Sequence, residues 1–270
     1  MHVGQDRWQD LTAPELASRM GPETVAVMVL GAVEQHGPHL PLSTDLDIGL
    51  GLLTEARRHL PADFPLLVMP PLALGSSEEH GGFPGTLSLP PQTAVAVLEA
   101  LGEGVSRAGG RRLVWLNAHG GNTAIMDQAA LALRRRHGLL VIKATYTRLG
   151  QPPGIDADEW RHGLHGGALE TALMRHLAPE RVREDQVRDF PGRGQYLVAS
   201  GHRWLGPEGA GAFAWLAEDL HPDGVTGDAA AGTAELGARI LGFYGERLAQ
   251  LLQEAASLPW DARPAPGPRD

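Results

Sequence analysis

Thr24-Val-Ala-Val-Met-Val-Leu30 runs directly into Gly31-Ala-Val-Glu-Gln-His-Gly-Pro-His-Leu-Pro-Leu-Ser-Thr-Asp45. The first segment is an unbroken apolar run of strand length, rich in β-branched residues. It lacks the apolar–polar alternation of a half-exposed strand, so it reads as a strand covered on both faces, as in a parallel sheet. The second segment supplies Glu34, His36, His39 and Asp45, stiffened by Pro38 and Pro41. Glu34 and His36 are two residues apart, so an extended backbone sends both side chains to one face. A carboxylate and an imidazole projecting together, with another carboxylate nearby, are the start of a divalent-metal site. Taken alone, the same residues would serve equally as solvated loop groups, with Thr44 or Asp45 capping the next helix.

Working outward, strand and helix signals alternate. Thr12, with Pro14 and Glu15 behind it, starts a helix that Gly21-Pro22 stops ahead of the first strand. Residues 46–59 read as a helix ending before Pro61, and Leu66-Leu-Val-Met69 as a second strand. Residues 74–88, rich in glycine and carrying two glutamates and a histidine, read as a long loop, either functional or a mobile surface excursion. A helix over 91–108 has Val95, Leu98, Leu101 and Val105 at helical spacing and stops at Gly109-Gly110. The third strand is Arg112-Leu-Val-Trp-Leu-Asn117, and it ends in Ala118-His-Gly-Gly-Asn122. A helix then runs to about Arg136, where a basic run suits the negative end of the helix dipole, and residues 139–144 form a fourth strand. This alternation predicts an α/β fold with a doubly wound, mainly parallel sheet. Ligands of such sheets gather beyond the C-terminal ends of the strands, where both His-bearing turns fall.

Further on, a glycine-rich turn holding His165 leads into a helix with Glu170 about one turn inside, between Leu169 and Leu173. A carboxylate on an apolar face is costly unless it is paired or coordinates a cation; an edge glutamate reaching solvent is the alternative. Residues 181–226 show no clear period. Trp204, Phe213 and Trp215 there suit either a subunit contact or a local core. Residues 228–252 read as a long helix, and the chain from Pro259 as a Pro-rich tail.

Composition narrows the function. The 270 residues carry 23 Lys plus Arg against 32 Asp plus Glu, a net charge of −9 that argues against a nucleic-acid partner. There is no cysteine, which excludes disulfides and thiolate ligands, so any metal must sit on nitrogen and oxygen donors. No basic-then-apolar leader pattern and no membrane-length apolar run are present, and the chain reads as soluble and cytoplasmic. Glu34, His36, Asp45, His119 and Glu170 suffice for two divalent cations if one carboxylate bridges, and Asp45 is the chosen bridge. Such a pair acidifies a water and polarises a carbonyl, as cleavage of an unactivated amide requires. His165, outside the ligand set, is the candidate acid/base. The donors suit Zn²⁺, Mn²⁺ or Fe²⁺ alike.

Four blocks carry a resemblance. Glu34-Gln-His-Gly-Pro-His-Leu-Pro-Leu-Ser-Thr-Asp45, Glu79-His-Gly-Gly-Phe-Pro-Gly-Thr-Leu-Ser88, Asn117-Ala-His-Gly-Gly-Asn122 and His165-Gly-Gly-Ala-Leu-Glu-Thr171 resemble the signature blocks of the creatininase (creatinine amidohydrolase) family. The likeness spans roughly residues 24–177. It implies a three-layer α/β/α sandwich over residues 1–258, a dinuclear metal centre, hydrolysis of a cyclic or linear amide, and a homo-oligomer, often a hexamer. Carried across, Glu34, Asp45 and His119 would hold one metal, and His36, Asp45 and Glu170 the other. His165 would be the acid/base, with Ser77 and His80 near the substrate. One departure weakens creatinine as the substrate. Family members acting on creatinine place a ligating glutamate where this chain has Gly121, so Glu170 is the available donor. Trp160 is likewise out of register with the tryptophan that precedes the acid/base histidine. Mycofactocin-type peptide-cleaving relatives and formamide-hydrolysing relatives share this pattern, so a small-molecule amide and a short peptide both remain as substrates. A phosphate- or nucleotide-binding α/β module built on His119-Gly-Gly-Asn122 is the distant alternative, without a Walker or Gly-x-Gly-x-x-Gly pattern to support it.

Overall fold

The computed structural model describes residues 6–260. Its centre is a four-stranded parallel sheet in the order β2-β1-β3-β4, with β1 Val25–Leu30, β2 Leu66–Val68, β3 Arg112–Asn117 and β4 Leu140–Thr145. Val25 is level with both Leu66 and Arg112, so β1 is flanked on both sides. Every residue of β1 and of β3 is buried. That is why neither strand alternates in sequence: each face needs an apolar side chain.

The connections decide which helix covers which face. Helix α1 (Ala13–Arg19) precedes the sheet and is opened by a reciprocal Thr12–Glu15 capping box. From β1 the chain steps outward to β2 through α2 (Thr44–His59), then back past β1 to β3 through α3 (Pro91–Arg107), and on to β4 through α4 (Thr123–His137). Right-handed crossovers taken in opposite directions place their helices on opposite faces. Accordingly, Val25, Val27, Val29, Val114 and Leu116 pack with α2. Ala26, Met28, Leu30, Leu113 and Trp115 pack with α3 and α4. The reversal falls between β1 and β3, the switch point where ligand sites of such sheets form.

The remaining helices are α5 (Ala157–His162), α6 (Ala168–Leu177), α7 (Arg193–Ala199), α8 (Ala217–Leu220) and α9 (Ala234–Ser257). Helices α6 and α9 join α2 over the first face, completing the three layers. Buried Arg112, at the start of β3, donates to the carbonyls of Ala256 (3.1 Å) and Leu258 (2.9 Å) and ties down the end of α9.

Three expectations need adjustment. Helix α2 begins at Thr44 rather than residue 46, which puts Asp45 in its first turn. Helix α9 begins six residues later than the apolar period suggested. Gly227–Asp228 pairs with Asp189–Phe190 as a short antiparallel ribbon, and Thr233 then caps the helix through the Leu236 N–H. Trp204 is not local core, since it is 67% exposed, whereas Phe213 and Trp215 are half-buried. Of the Pro-rich tail only Pro259 and Trp260 lie within the described residues, and the Trp260 indole N–H donates to the Gly138 carbonyl at 2.8 Å.

His39 ties the first block to α6. Its Nε2 lies 3.0 Å from both the Gly166 carbonyl and Thr171 Oγ1, and its ring stacks on Phe190 at 5.3 Å. Burial, with His36, Arg175 and Arg188 adding their positive charge, lowers its pKa to about 4. The unfolded chain therefore takes up this proton first as the pH falls. The stability the neutral ring contributes is complete above pH 6.5 and is lost on descent toward pH 4, up to roughly 3 kcal/mol. Denaturant midpoints measured between pH 7 and 4 should fall less steeply in His39→Gln than in the parent protein. Parallel slopes would contradict this.

Candidate metal centre

At the switch point, the turns after β1 and β3, the first turn of α2 and the start of α6 converge on one buried cluster. Beyond β1 the chain stays extended enough for Glu34 and His36 both to reach it, and both are fully buried. Asp45 arrives from α2, His119 from the turn after β3, and Glu170 from the first turn of α6. His119 Nδ1 lies 3.2 Å from Glu34 Oε1 and 3.4 Å from Asp45 Oδ2. His36 Nε2 lies 3.3 Å from Asp45 Oδ1 and 3.9 Å from Glu170 Oε2. Glu34–Asp45–His119 and His36–Asp45–Glu170 each bring ligand atoms within 4.8 Å of one another, and Asp45 belongs to both sets. A third set, Glu34–His36–His165, is equally compact.

The two strand ends are locked by asparagine amides. Asn122 donates to the Gly31 carbonyl and to Asn117 Oδ1, both at 3.1 Å, and accepts from the Ser76 N–H at 3.1 Å. Asn117 in turn donates to the His119 carbonyl at 2.6 Å. The loop 74–88 is thereby fastened to the site. Ser77 Oγ lies 3.2 Å from His119 Nε2, and His80 Nε2 lies 3.4 Å from Glu34 Oε1. His165 Nδ1 lies 3.7 Å from the same oxygen. All eight predicted site residues are thus in one place, and Trp160 instead packs against the hydrophobic core.

The buried charges of the cluster shift one another strongly. Burial would lower His36 and His119, but the surrounding carboxylates outweigh it and carry them up to about 9 and about 10. Burial raises Glu170 to about 7 and also raises Asp45. Glu34, despite burial, is held well below the usual carboxylate range by His119, His165 and His80. Both oxygens of Glu34, Asp45 Oδ2 and His36 Nε2 are buried with no hydrogen-bond partner. Such atoms are expensive to bury unless a ligand meets them. Nitrogen and carboxylate donors arranged in two sets around a shared aspartate fit a pair of divalent cations.

Some participants were not anticipated. Glu79 Oε1 lies 3.5 Å from His119 Nε2, and a Cβ at Gly121 would meet it at 2.3 Å and Ser76 O at 2.5 Å. Gly121 therefore leaves room for a carboxylate delivered from a different segment. Glu159 accepts from the N–H groups of Ala168 (2.6 Å) and Asp228 (2.8 Å), fixing the start of α6. Trp215 meets the His80 ring edge-on at 6.5 Å. Glu79 lies inside a block already singled out. Glu159 and Trp215 had no such signal, because their roles depend on contacts across long sequence separations.

Comparison with known proteins gives the family. The model of the family described as creatininase, creatinine amidohydrolase, matches residues 9–252. The chain belongs to the creatininase family. Among creatininase relatives, it is 36% identical over 165 residues to a mycofactocin precursor peptide peptidase of Mycolicibacterium smegmatis, covering 60% of this chain and 62% of that one. It therefore spans less than two thirds of the length of that relative. It is 32% identical over 206 residues to creatinine amidohydrolase of Pseudomonas putida, covering 70% of this chain and 76% of that one. A solved manganese form of creatininase superposes with a TM-score of 0.75 at 25% identity, over 92% of this chain and 98% of its own. A zinc–zinc type of a mutant creatininase superposes with a TM-score of 0.72 at 26% identity, over 93% and 98%. Among the described residues no helix is long and apolar enough to cross a membrane.

Proposed function

We propose that this chain is a dinuclear-metal amidohydrolase that cleaves a carbon–nitrogen amide bond in a short peptide or small amide other than creatinine. The observation that carries it is the pair of ligand sets meeting at Asp45, in which both Glu34 oxygens and Asp45 Oδ2 are buried without a hydrogen-bond partner. Glu34, Asp45 and His119 would hold one ion, and His36, Asp45 and Glu170 the other. Two divalent cations there, Zn²⁺, Mn²⁺ or Fe²⁺, would supply Lewis acidity and an acidified water. His165 would hold the proton taken from water at Nδ1 and pass it to the leaving nitrogen. Ser77, beside His119, and His80, beside Glu34, would border the amide carbonyl.

Two features favour a peptide over creatinine. Gly121 has no carboxylate, and the match to a peptide-cleaving relative has the higher identity. Exposed Tyr196 and Trp204 leave an apolar surface suited to a neighbouring copy, in keeping with a homo-oligomer. The test is an amide panel of creatinine, a formamidopyrimidine, short peptides and cyclic amides, assayed with Zn²⁺, Mn²⁺ and Fe²⁺ separately. Turnover of at least one amide, abolished by chelator and restored by metal, is expected. Metal-independent turnover, or none across the panel with metal bound, would overturn the reading. Within the same experiment Glu34→Gln should retain about half the bound metal, because only one of the two sets contains Glu34. Retention of the full complement would contradict that assignment.

A further inference from the structure

Gln35 lies between two of the proposed metal ligands, yet its side-chain amide hydrogen-bonds elsewhere. Its Oε1 accepts from the Gly37 N–H at 2.9 Å, and its Nε2 donates to the Gly224 carbonyl at 2.7 Å. A backbone N–H can only donate and a backbone carbonyl can only accept, so the amide has one permissible orientation. Gly224 adopts φ +74°, and a Cβ there would meet Gln35 Oε1 at 2.7 Å, so this close approach needs glycine.

The second hydrogen on Nε2 is aimed at His80 Nδ1, 2.8 Å away. An amide N–H has nothing with which to accept, so His80 Nδ1 carries the lone pair and the ring proton resides on Nε2. A ring protonated on both nitrogens would set N–H against N–H at this distance. His80 therefore presents a donor, 3.4 Å from Glu34 Oε1. The main chain of the same residue determines the other histidine. His165 Nε2 lies 2.7 Å from the Gln35 carbonyl and must donate to it, which leaves the His165 Nδ1 lone pair directed at the same Glu34 oxygen, 3.7 Å away. The two rings are 4.2 Å apart and inclined at 31°. Two imidazoles from distant segments thus face one spot with opposite polarity, and both polarities are set by one glutamine.

We propose that Gln35 is a positioning residue that fixes His80 as an N–H donor and His165 as a proton acceptor over the cluster. On the amidohydrolase reading above, on which this assignment of labour rests, His80 Nε2–H meets the carbonyl oxygen as negative charge develops. His165 Nδ1 takes the proton of the attacking water and returns it to the departing nitrogen, so the proton count balances. The two histidines are then not interchangeable.

The test is the histidine tautomer itself, read by long-range ¹H–¹⁵N correlation in the zinc-loaded, ¹⁵N-histidine-labelled 270-residue protein. His80 should show a protonated Nε2 and a bare Nδ1. In Gln35→Glu the new carboxylate can only accept, so the His80 proton should move to Nδ1. On whichever panel amide the parent hydrolyses, kcat should then fall about a hundredfold with KM changed less than about twofold. His80→Gln, which keeps an amide donor, should retain more activity than His80→Ala. A proton on His80 Nδ1 in the parent, or an unchanged tautomer in Gln35→Glu, would overturn the proposal. Absence of any turnover with the tautomers as stated would count against the hydrolase reading and leave the positioning role of Gln35 standing.

Discussion

Asp45→Asn should leave the protein folded but unable to retain either divalent ion, with amide hydrolysis reduced about a thousandfold or more. The substitution keeps shape and volume and changes one oxygen to nitrogen. Asp45 is 2% exposed and belongs to both ligand sets, with Oδ1 facing His36 and Oδ2 facing His119. An amide would bring one weak acceptor where the proposed pair of cations calls for two charged oxygens, and its NH₂ would face one of them. The most direct sign is thermal. Metal that binds only the folded state raises stability by about 4 kcal/mol at a thousand times its dissociation constant. The parent should therefore melt higher on adding zinc, and Asp45→Asn should not. Circular dichroism matching the parent would show that lost binding, rather than lost folding, is responsible. A variant that keeps two equivalents of metal would contradict the bridging assignment.

A second large effect is expected far from the ligands. At Gly237 in α9 an added Cβ would lie 1.9 Å from the Ala172 carbonyl oxygen in α6, and no side chain there can move to relieve it. Gly237→Ala should therefore push the two helices apart at a cost of about 3 kcal/mol, at the upper end of overpacking effects. Helix α6 carries Glu170, so affinity at the His36–Asp45–Glu170 position should fall as well. Gly242, five residues along the same helix, has nothing within 4 Å of its hypothetical Cβ. There the same change removes backbone freedom from the unfolded chain and should stabilise by about 0.5–1 kcal/mol. Opposite signs for one chemical change on one helix distinguish packing from propensity. Equal effects in denaturant unfolding would mean that the α6–α9 contact does not constrain the fold as described.

The legible parts of this protein were those written in local pattern. Strands β1 and β3 were plain because burial on both faces leaves no polar position, and the strand–helix alternation carried the layer order with it. The residues of the buried cluster were legible because carboxylates and imidazoles at strand ends and on an apolar helix face have few other uses, and the four-block resemblance grouped them. What the pattern concealed depends on distant contacts. The start of α9 was hidden because residues 228–231 share its composition, whereas Gly227–Asp228 pairs with Asp189–Phe190 and Ala229–Ala231 form a separate 3-10 turn. Residues 181–226 have no period, since they fold against the rest of the molecule in short pieces. Glu79 occupies the space beside Gly121 only once the loop 74–88 is clamped by Asn122. Gln35 carried no role in the sequence pattern, because one of its two backbone partners is 189 residues away.

Anomalous diffraction from crystals of the zinc-loaded protein, recorded across the zinc edge, addresses the central claim directly. Two peaks are predicted, one bonded to Glu34, Asp45 and His119 and the other to His36, Asp45 and Glu170, with Asp45 touching both. A single peak, or zinc bound elsewhere with this cluster left bare, would contradict the account.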